Sequence, residues 1–319
     1  MVGARLLPRD RLMGGLVGLV VGDALGVPVE FSTRAERDRD PVAGLRGFGM
    51  HGQPPGAWSD DGALALAHAA AFAAHGWDPA RHLDAFLAWE RQASFSSHDR
   101  VFDIGRTTRE ALRRWAAGAA AAEAGGRGER DNGNGSLMRI LPVSCWWAAA
   151  PDLAVIARLG EASALTHAHE RSRLVCALHG LLTARLLSGR PLRVALAAAI
   201  RAWLPAVPAA QHAGLEPLRS PAFLDWSRER IPSDGHVVST LVAACWCLDR
   251  HEDFAGAVLA AVNLGGDTDT TAAVVGGLAG LRCGLSGLPR PWLTCLPRSG
   301  AVHAAAEAFA DACLGHDGR

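Results

Sequence analysis

Apolar residues recur along this chain at the spacing of helices rather than in the alternation typical of strands. Alanine and leucine, which favour helices, dominate long segments. Four such segments stand out: Ala63 to Ala74, Leu153 to Leu165, Arg173 to Leu187 and Val237 to Leu248. The pattern predicts an all-α protein of roughly a dozen helices, taking about 11 to 12 residues as a typical helix length.

Connectors rich in glycine and proline separate the apolar segments: Pro41 to Gly56, Gly125 to Gly135 and Leu204 to Pro221. None of them is long enough for a convincing interdomain linker, and no internal repeat of fixed period is found. We therefore predict one compact domain over residues 1–319, with disorder at its ends and a flexible loop near residues 125–131.

The composition is that of a soluble globular protein large enough for an enzyme. Of the 319 residues, 49% are hydrophobic and 20% charged, with 32 basic and 32 acidic side chains. This balance creates no overall field that would recruit nucleic acid or acidic membranes. Seven scattered cysteines lack the spacing of a zinc site or a disulfide framework, so buried free thiols are favoured.

The N-terminus carries basic residues, Arg5, Arg9 and Arg11, ahead of an apolar stretch. Because Asp23 and Glu30 interrupt that stretch, we expect neither a signal peptide nor a membrane span. The expected location is the cytoplasm, with no membrane partner.

The segment WSDDGALALA, residues 58–67, places two adjacent carboxylates and a hydroxyl where an apolar helix begins. Helix capping by Ser59 or Asp60 would account for many such sequences. Adjacent carboxylates repel each other, however, and three hard oxygen donors together suit Mg²⁺, Mn²⁺ or Ca²⁺. Both interpretations, a cap and a metal site, stay open for this segment alone.

The segment NLGGDTDTTAAVVGGLAG, residues 263–280, presents Asp267, Asp269 and Thr270 from a Gly-Gly turn just before an apolar helix. A helix cap needs one acidic residue, not two with threonines between them. Together with residues 58–67, this segment supplies four carboxylates and two hydroxyls from opposite ends of the chain. If the two segments meet, they have the composition of a binuclear centre for hard cations.

Three further segments give weaker signals. In GDALGVPVEF, residues 22–31, the favoured interpretation is that Asp23 is a polar helix residue and Glu30 a solvated helix-end charge. The Gly- and Asn-rich run DNGNGSLMRILPV, residues 131–143, leads into an apolar segment, where backbone N–H groups of a helix start could hold a phosphate, although an ordinary turn capped by Ser136 fits too. Asp103, between Phe102 and Ile104, is either a cap or a group whose pKa is shifted.

These motifs resemble the ADP-ribosylglycohydrolase family. WSDD (residues 58–61) and GGDTDT (residues 265–270) are similar to its paired metal-binding signatures. GDALG (22–26), GNGSLMR (133–139) and the dipeptide Thr166-His167 fall in the family's order, so the resemblance runs from about residue 14 to residue 280. FDIG (102–105) and DGHVVSTL (234–241) look most like the bacterial dinitrogenase reductase-activating glycohydrolase branch.

The resemblance implies a compact, orthogonal all-α bundle that binds ADP-ribose beside two divalent cations, Mg²⁺ or Mn²⁺. The residues that would hold the ions are Ser59, Asp60, Asp61, Asp267, Asp269 and Thr270. The residues that would act in catalysis or bind the substrate are Glu30, Asp103, Asn134, Gly135, Ser136, Met138, His167 and His236.

Two positions depart from the family's pattern. Gly62 stands where a threonine commonly follows the acidic pair, and His236 stands where a tyrosine is common near the adenine. The first change leaves the predicted ligands in place, whereas the second alters the predicted adenine contact. Outside the family context, His167 would be interpreted as a helix-end histidine.

The implied reaction is removal of ADP-ribose from a mono-ADP-ribosylated protein, with arginine as the leading linkage and ADP-ribose as the product. Hydrolysis requires an activated water and a leaving group that accepts a proton. We expect Glu30 or Asp103 to act as general base or to stabilise the charged ribose. The alternatives are serine-linked ADP-ribose, O-acetyl-ADP-ribose or modified nucleic acid as substrate, or a catalytically idle binding or structural member of the fold.

Overall fold

The computed structural model describes residues 8–316, and within this range the chain forms α-helices joined by turns and short 3-10 helices. The helices of the first half are α1 (Pro8–Gly26), α2 (Arg34–Arg39), α3 (Asp60–His75), α4 (Pro79–Gln92), α5 (Arg106–Ala116), α6 (Ala121–Ala124) and α7 (Leu141–Trp146). Those of the second half are α8 (Asp152–Ala164), α9 (Glu170–Leu187), α10 (Leu192–Trp203), α11 (Val237–Arg250), α12 (Phe254–Val262), α13 (Thr268–Cys283), α14 (Arg290–Cys295) and α15 (Ser299–Gly315).

The predicted all-α class is confirmed. Each of the four apolar segments singled out in the sequence lies within or close to one helix, namely α3, α8, α9 or α11. No strand forms among residues 8–316, where pairing of extended backbone is limited to two isolated bridges, Gly126 with His167 and Gly133 with His236. Arg5 of the basic N-terminal group lies outside the described residues.

Helices α1 and α13 pack with their backbones in close approach at the centre of the molecule. Glycines recur every four residues along α1, at positions 14, 18, 22 and 26. A Cβ atom added at any of them would come within 3.0 Å of the α13 backbone or of the residues directly after it, including the carbonyl oxygens of Gly276 and Gly280. Glycine is required here because no side chain fits between the two helices. This approach brings Asp23 of α1 beside Asp269 of α13.

By length and composition alone the segment Pro8–Val29 is apolar enough to cross a membrane, although Asp23 interrupts it. Of its most apolar window, 94% is buried inside the protein, against α13, α15 and α3. That burial is typical of a core helix.

The other helices pack around this central pair. Helices α11 and α12 cover α13 on one side, α3 packs on α15 and α4, and α9 joins α8 and α10 into a further layer. Three tryptophans, Trp58, Trp89 and Trp203, are almost fully buried between the layers. All seven cysteines are free, and four of them are buried, as the scattered positions suggested.

The glycine-rich connector that was predicted to be flexible is fastened at several points. Gly126 donates to the carbonyl of Thr166 and accepts from the N–H of Ala168, at 2.8 and 2.7 Å. The Asp131 carboxylate accepts from the side chains of Arg106 and Thr107. These bonds hold the connector against α5 and the start of α9.

The run at residues 131–143 leads into a helix only at its end. Residues 135–139 form turns, and α7 begins only at Leu141 and has six residues. Arg139, at the end of the turns, is completely buried and donates to Thr166 Oγ1 at 2.8 Å. Burial lowers the pKa of Arg139 to about 10.

Candidate functional site

The start of α3 is capped twice, once locally and once from another helix. Ser59 is the N-cap residue, and its hydroxyl accepts from the Asp61 N–H at 3.3 Å. The Asp23 carboxylate accepts from the N–H groups of Ser59 and Gly62, at 3.0 and 2.7 Å. The capping role therefore falls to Ser59 and Asp23, which leaves the Asp60 and Asp61 carboxylates free of it.

The Gly-Gly turn before α13 sets the position of the second acidic segment. Gly265 and Gly266 have φ of 73° and 74°, a conformation that glycine adopts without strain. The next residue, Asp267, is the N-cap of α13, but its side chain makes no capping hydrogen bond. The Asp267 side chain therefore does not cap the helix.

The two acidic segments meet although about 200 residues separate them. The Thr270 hydroxyl donates to Asp61 Oδ2 at 3.4 Å, and the Ser59 hydroxyl lies 3.2 Å from the same oxygen. One carboxylate oxygen from each of Asp23, Asp61 and Asp269 lies within 4.8 Å of the others. Asp23, which from its sequence segment alone is an ordinary polar helix residue, therefore belongs to the candidate site.

Burial and mutual repulsion dominate the electrostatics of this cluster. Asp60, Asp61 and Asp269 are at most 5% exposed, and burial together with neighbouring carboxylates raises the pKa of each well above the ordinary value. Three buried carboxylate oxygens have no hydrogen-bond partner among residues 8–316: Asp61 Oδ1, Asp267 Oδ1 and Asp269 Oδ2. A buried carboxylate oxygen without a partner costs folding free energy. Hard cations bind such oxygens as ligands and so offset this cost.

A second acidic group adjoins the first through Asp269. One oxygen from each of Glu30, Asp103 and Asp269 and one ring nitrogen of His51 lie within 4.8 Å of one another. His51 Nε2 contacts Glu30 Oε2 and lies 4.0 Å from Asp103 Oδ1. Burial raises the pKa of Glu30 to about 7, and that of Asp103 is raised for the same reason.

No sequence motif marks His51 as a residue of this site. It stands in the connector Pro41 to Gly56, between Met50 and Gly52, and nothing in its neighbourhood distinguishes it from a surface histidine. A hydrogen bond from the Met50 N–H to the Pro28 carbonyl, at 3.0 Å, brings its turn over the end of α1. Only that tertiary contact places the imidazole beside Glu30.

Among the predicted substrate-binding residues, Asn134 contacts the acidic cluster directly. Its Nδ2 donates to Asp267 Oδ2 and to Thr240 Oγ1, both at 2.9 Å. This side chain orients a predicted metal ligand, which leaves its amide less free for a diphosphate.

Ser136 and Met138 lie in the protein interior rather than in the cleft. Ser136 is 0% exposed, and its hydroxyl lies 2.9 Å from Ser163 Oγ and 3.4 Å from Cys176 Sγ. Met138 is 3% exposed and belongs to the hydrophobic core. Direct contacts of these two side chains with a diphosphate do not fit their placement, because both point into the packed interior.

Gly135, His167 and His236 lie close to the same loop. A Cβ atom at Gly135 would lie 2.8 Å from the His167 ring, so the glycine makes room for the imidazole. His167 is buried, its Nδ1 lies 2.8 Å from Thr166 Oγ1, and burial lowers its pKa to about 3. His236 caps α11, its Nδ1 accepting from the Val238 N–H at 3.3 Å, and its backbone bridges to Gly133.

Comparison with known proteins gives consistent matches over almost the whole chain. The sequence profile of the ADP-ribosylglycohydrolase family matches residues 4–318. An ADP-ribosylarginine hydrolase Tri1 of Pseudomonas putida (strain GB-1) is 33% identical over 297 residues, covering 89% of this chain and 73% of that protein. An ADP-ribosyl-dinitrogen reductase glycohydrolase of Rhodospirillum rubrum is 31% identical over 294 residues, covering 89% of this chain and 90% of that protein. A solved structure described as an ADP-ribosylglycohydrolase-related protein complex has a TM-score of 0.81 at 33% identity, covering 96% of this chain and 99% of that one.

Proposed function

This chain belongs to the ADP-ribosylglycohydrolase family, and from that premise we propose that it hydrolyses the N-glycosidic bond between ADP-ribose and an arginine side chain of a modified protein. The observation that carries the proposal is the pair Glu30 and Asp103, which shares Asp269 with a buried cluster of carboxylates. The names of the relatives, which include ADP-ribosylarginine hydrolases, support the arginine linkage.

We further propose that two divalent cations, Mg²⁺ or Mn²⁺, bind beside this pair. The residues that would hold them are Ser59, Asp60, Asp61, Asp267, Asp269 and Thr270. Three buried oxygens without partners and two neighbouring hydroxyls fit this role, because hard cations prefer such donors. When bound, such cations would supply positive charge for binding ribose hydroxyls and for lowering the pKa of a water.

In the proposed reaction, the bond between the anomeric carbon of the ribose and a guanidine nitrogen breaks, and the oxygen of a water adds to that carbon. Positive charge builds on the ribose, so nearby carboxylates stabilise the transition state. Glu30 takes the proton of the attacking water and returns it to the departing guanidine. Burial supports this role, since a carboxyl group with a pKa near 7 both accepts and donates protons at neutral pH.

Asp103 contributes its negative charge on the side of the leaving group. Its side chain is 23% exposed, lies 4.0 Å from His51 Nε2 and is grouped with Glu30. A guanidinium is held well by a carboxylate. A serine-linked substrate has no such cation, so Asp103 favours the arginine linkage.

The test is mass spectrometry of ADP-ribose released from matched arginine-linked and serine-linked peptides, with Mg²⁺, Mn²⁺ or a chelator. We expect faster release from arginine, dependence on the metal, and loss of most of this activity in Asp103→Asn. Asp99→Asn is a matched control, because Asp99 also has a positive φ, of 51°, but is exposed and paired with Arg298. Faster release from serine would overturn the arginine linkage, and full turnover in the chelator would overturn the metal proposal.

A further inference from the structure

Two phenylalanine rings flank the imidazole of His51 at the mouth of the cleft. The ring centroid of Phe102 lies 5.6 Å from that of His51, and the centroid of Phe31 lies 6.4 Å from it on another element. The faces of aromatic rings attract cations within about 6 Å of the ring centroid, a range that includes the Phe102 distance and ends just short of the Phe31 distance. His51 is therefore framed by the apolar surface that a planar cation prefers.

Carboxylates meet the same imidazole at its nitrogen edge. His51 Nε2 contacts Glu30 and lies 4.0 Å from Asp103 Oδ1. A carboxylate oxygen of Asp269 lies within 4.8 Å of all three groups; Asp269 is 1% exposed, and its Oδ2 has no hydrogen-bond partner among the described residues. Three carboxylates thus face a single group that can carry positive charge.

Two residues whose side chains lie near the His51 imidazole have an unfavourable backbone conformation. Phe31 and Asp103 have φ of 61° and 60°, in the left-handed region that side chains rarely adopt. The Phe31 N–H donates to the Gly266 carbonyl at 2.7 Å, which holds the residue there, although its side chain is 60% exposed. Such conformations concentrate at functional sites, where the surroundings enforce them.

The turn that carries His51 is exposed to solvent on its outer side. The Gly52 N–H donates to the Gly49 carbonyl at 3.0 Å, which closes a tight turn around His51. Its neighbour Met50 is 59% exposed, and a Cβ atom at Gly52 would meet nothing within 4 Å. Open space therefore adjoins this turn at Gly52, outside the packed core.

We propose that Phe31, Phe102, Glu30 and Asp103 form a subsite for the guanidinium of the target arginine, and that the His51 imidazole holds this place until the guanidinium displaces it. The inference rests on the proposed function and specifies how the arginine would be recognised. A guanidinium is planar, carries its N–H donors at its edge and stacks on aromatic faces, so it matches each wall of the subsite.

The test measures binding by calorimetry to the full chain, loaded with Mn²⁺ and ADP-ribose, of two probes: N-acetylarginine amide and its neutral analogue N-acetylcitrulline amide. We expect the arginine probe to bind and the citrulline probe to bind far more weakly, because the ureido group of citrulline carries no charge. Phe31→Leu and Phe102→Leu should each weaken binding of the arginine probe by roughly 2- to 30-fold, the range of a cation–π contact. His51→Ala should tighten it.

Phe48→Leu is the matched control, since Phe48 also has a positive φ, of 62°, is 72% exposed and makes no ring contact with His51 or Phe102 among the described residues. Equal binding of the two probes, unaltered binding in both phenylalanine variants, or binding in His51→Ala no tighter than wild type would overturn the inference. Melting temperatures show whether each variant is folded. The titration needs no turnover, so the two proposals fail separately. If the wild type cleaves the arginine linkage but both phenylalanine variants bind the probe as the wild type does, only the subsite is rejected. If the wild type does not cleave that linkage, the proposed function is rejected.

Discussion

The carboxylate of Asp23 accepts a hydrogen bond from the backbone N–H of Gly62 at 2.7 Å, across the contact between α1 and α3. A Cβ atom at Gly62 would lie 3.0 Å from Asp23 Oδ2 and 2.8 Å from the Trp58 ring. Gly62 stands where the family commonly has a threonine. The space that a side chain would take there is occupied by the Asp23 carboxylate, which comes from another helix. This contact links the start of α3, which carries Asp60 and Asp61, to the central helix pair.

We predict that Gly62→Ala lowers the melting temperature, although glycine to alanine within a helix ordinarily stabilises by roughly 0.5–1 kcal/mol. The methyl group would push Asp23 or Trp58 away and disturb the cap of α3. Gly300→Ala is the control, because Gly300 lies in α15 and an added Cβ there meets nothing within 4 Å. A rise in melting temperature in both variants would show that the site tolerates the methyl group.

Metal binding should stabilise the wild type through the carboxylates of α3 and α13. Because a ligand that binds only the folded state stabilises it by about 2.7 kcal/mol at 100 times its Kd, Mn²⁺ should raise the melting temperature. Asp60→Asn and Asp267→Asn should respond much less while remaining folded, and Asn134→Ala should lie between them and the wild type, since it loses the donor to Asp267. Asp225→Asn, which changes an exposed carboxylate, serves as the control. Equal shifts in all variants would mean that the ions bind elsewhere.

Ser136 should affect stability rather than substrate affinity. Its hydroxyl is buried between Ser163 and Cys176, so Ser136→Ala should lower the free energy of unfolding by about 1 kcal/mol. Ser136→Asp places a charge in this interior and should prevent folding or lower the melting temperature severely. Circular dichroism with thermal melts measures both effects. A folded Ser136→Asp variant with selectively weakened ADP-ribose binding would instead show that this side chain lies where the diphosphate binds.

Buried histidines should make the protein lose stability in acid. Burial lowers the pKa of His179 to about 3, whereas an unfolded histidine has a pKa of about 6.5. Between these values the unfolded state binds a proton that the folded state does not, so stability falls as the pH drops below about 6.5, by about 1.4 kcal/mol per pH unit, and is unaffected above it.

Urea titrations of wild type and His179→Gln from pH 4.5 to 8 isolate this effect, because the raised pKa of Glu30 and Asp23 acts in the opposite direction in both proteins. Between pH 8 and pH 4.5 the free energy of unfolding of the variant, minus that of the wild type, should therefore increase as the pH falls. Parallel slopes would contradict the assignment.

The sequence by itself determined the all-α class, the position of the main helices and the residue types of the acidic cluster. Helical periodicity is a local property, so α3, α8, α9 and α11 could be located without any tertiary contact. The motifs at residues 58–61 and 265–270 were equally local, because each depends on adjacent oxygen donors at a helix start. For these features, neighbours along the chain carry the information.

The tertiary structure decided which side chains face the cleft. Asp23 and His51 enter the site because glycines let α1 approach α13 and because a turn closes over the end of α1. Ser136 leaves it because its hydroxyl turns toward α8 and α9. The direction of a side chain from an irregular loop depends on contacts between residues far apart in sequence, and a motif specifies the residue type but not that direction.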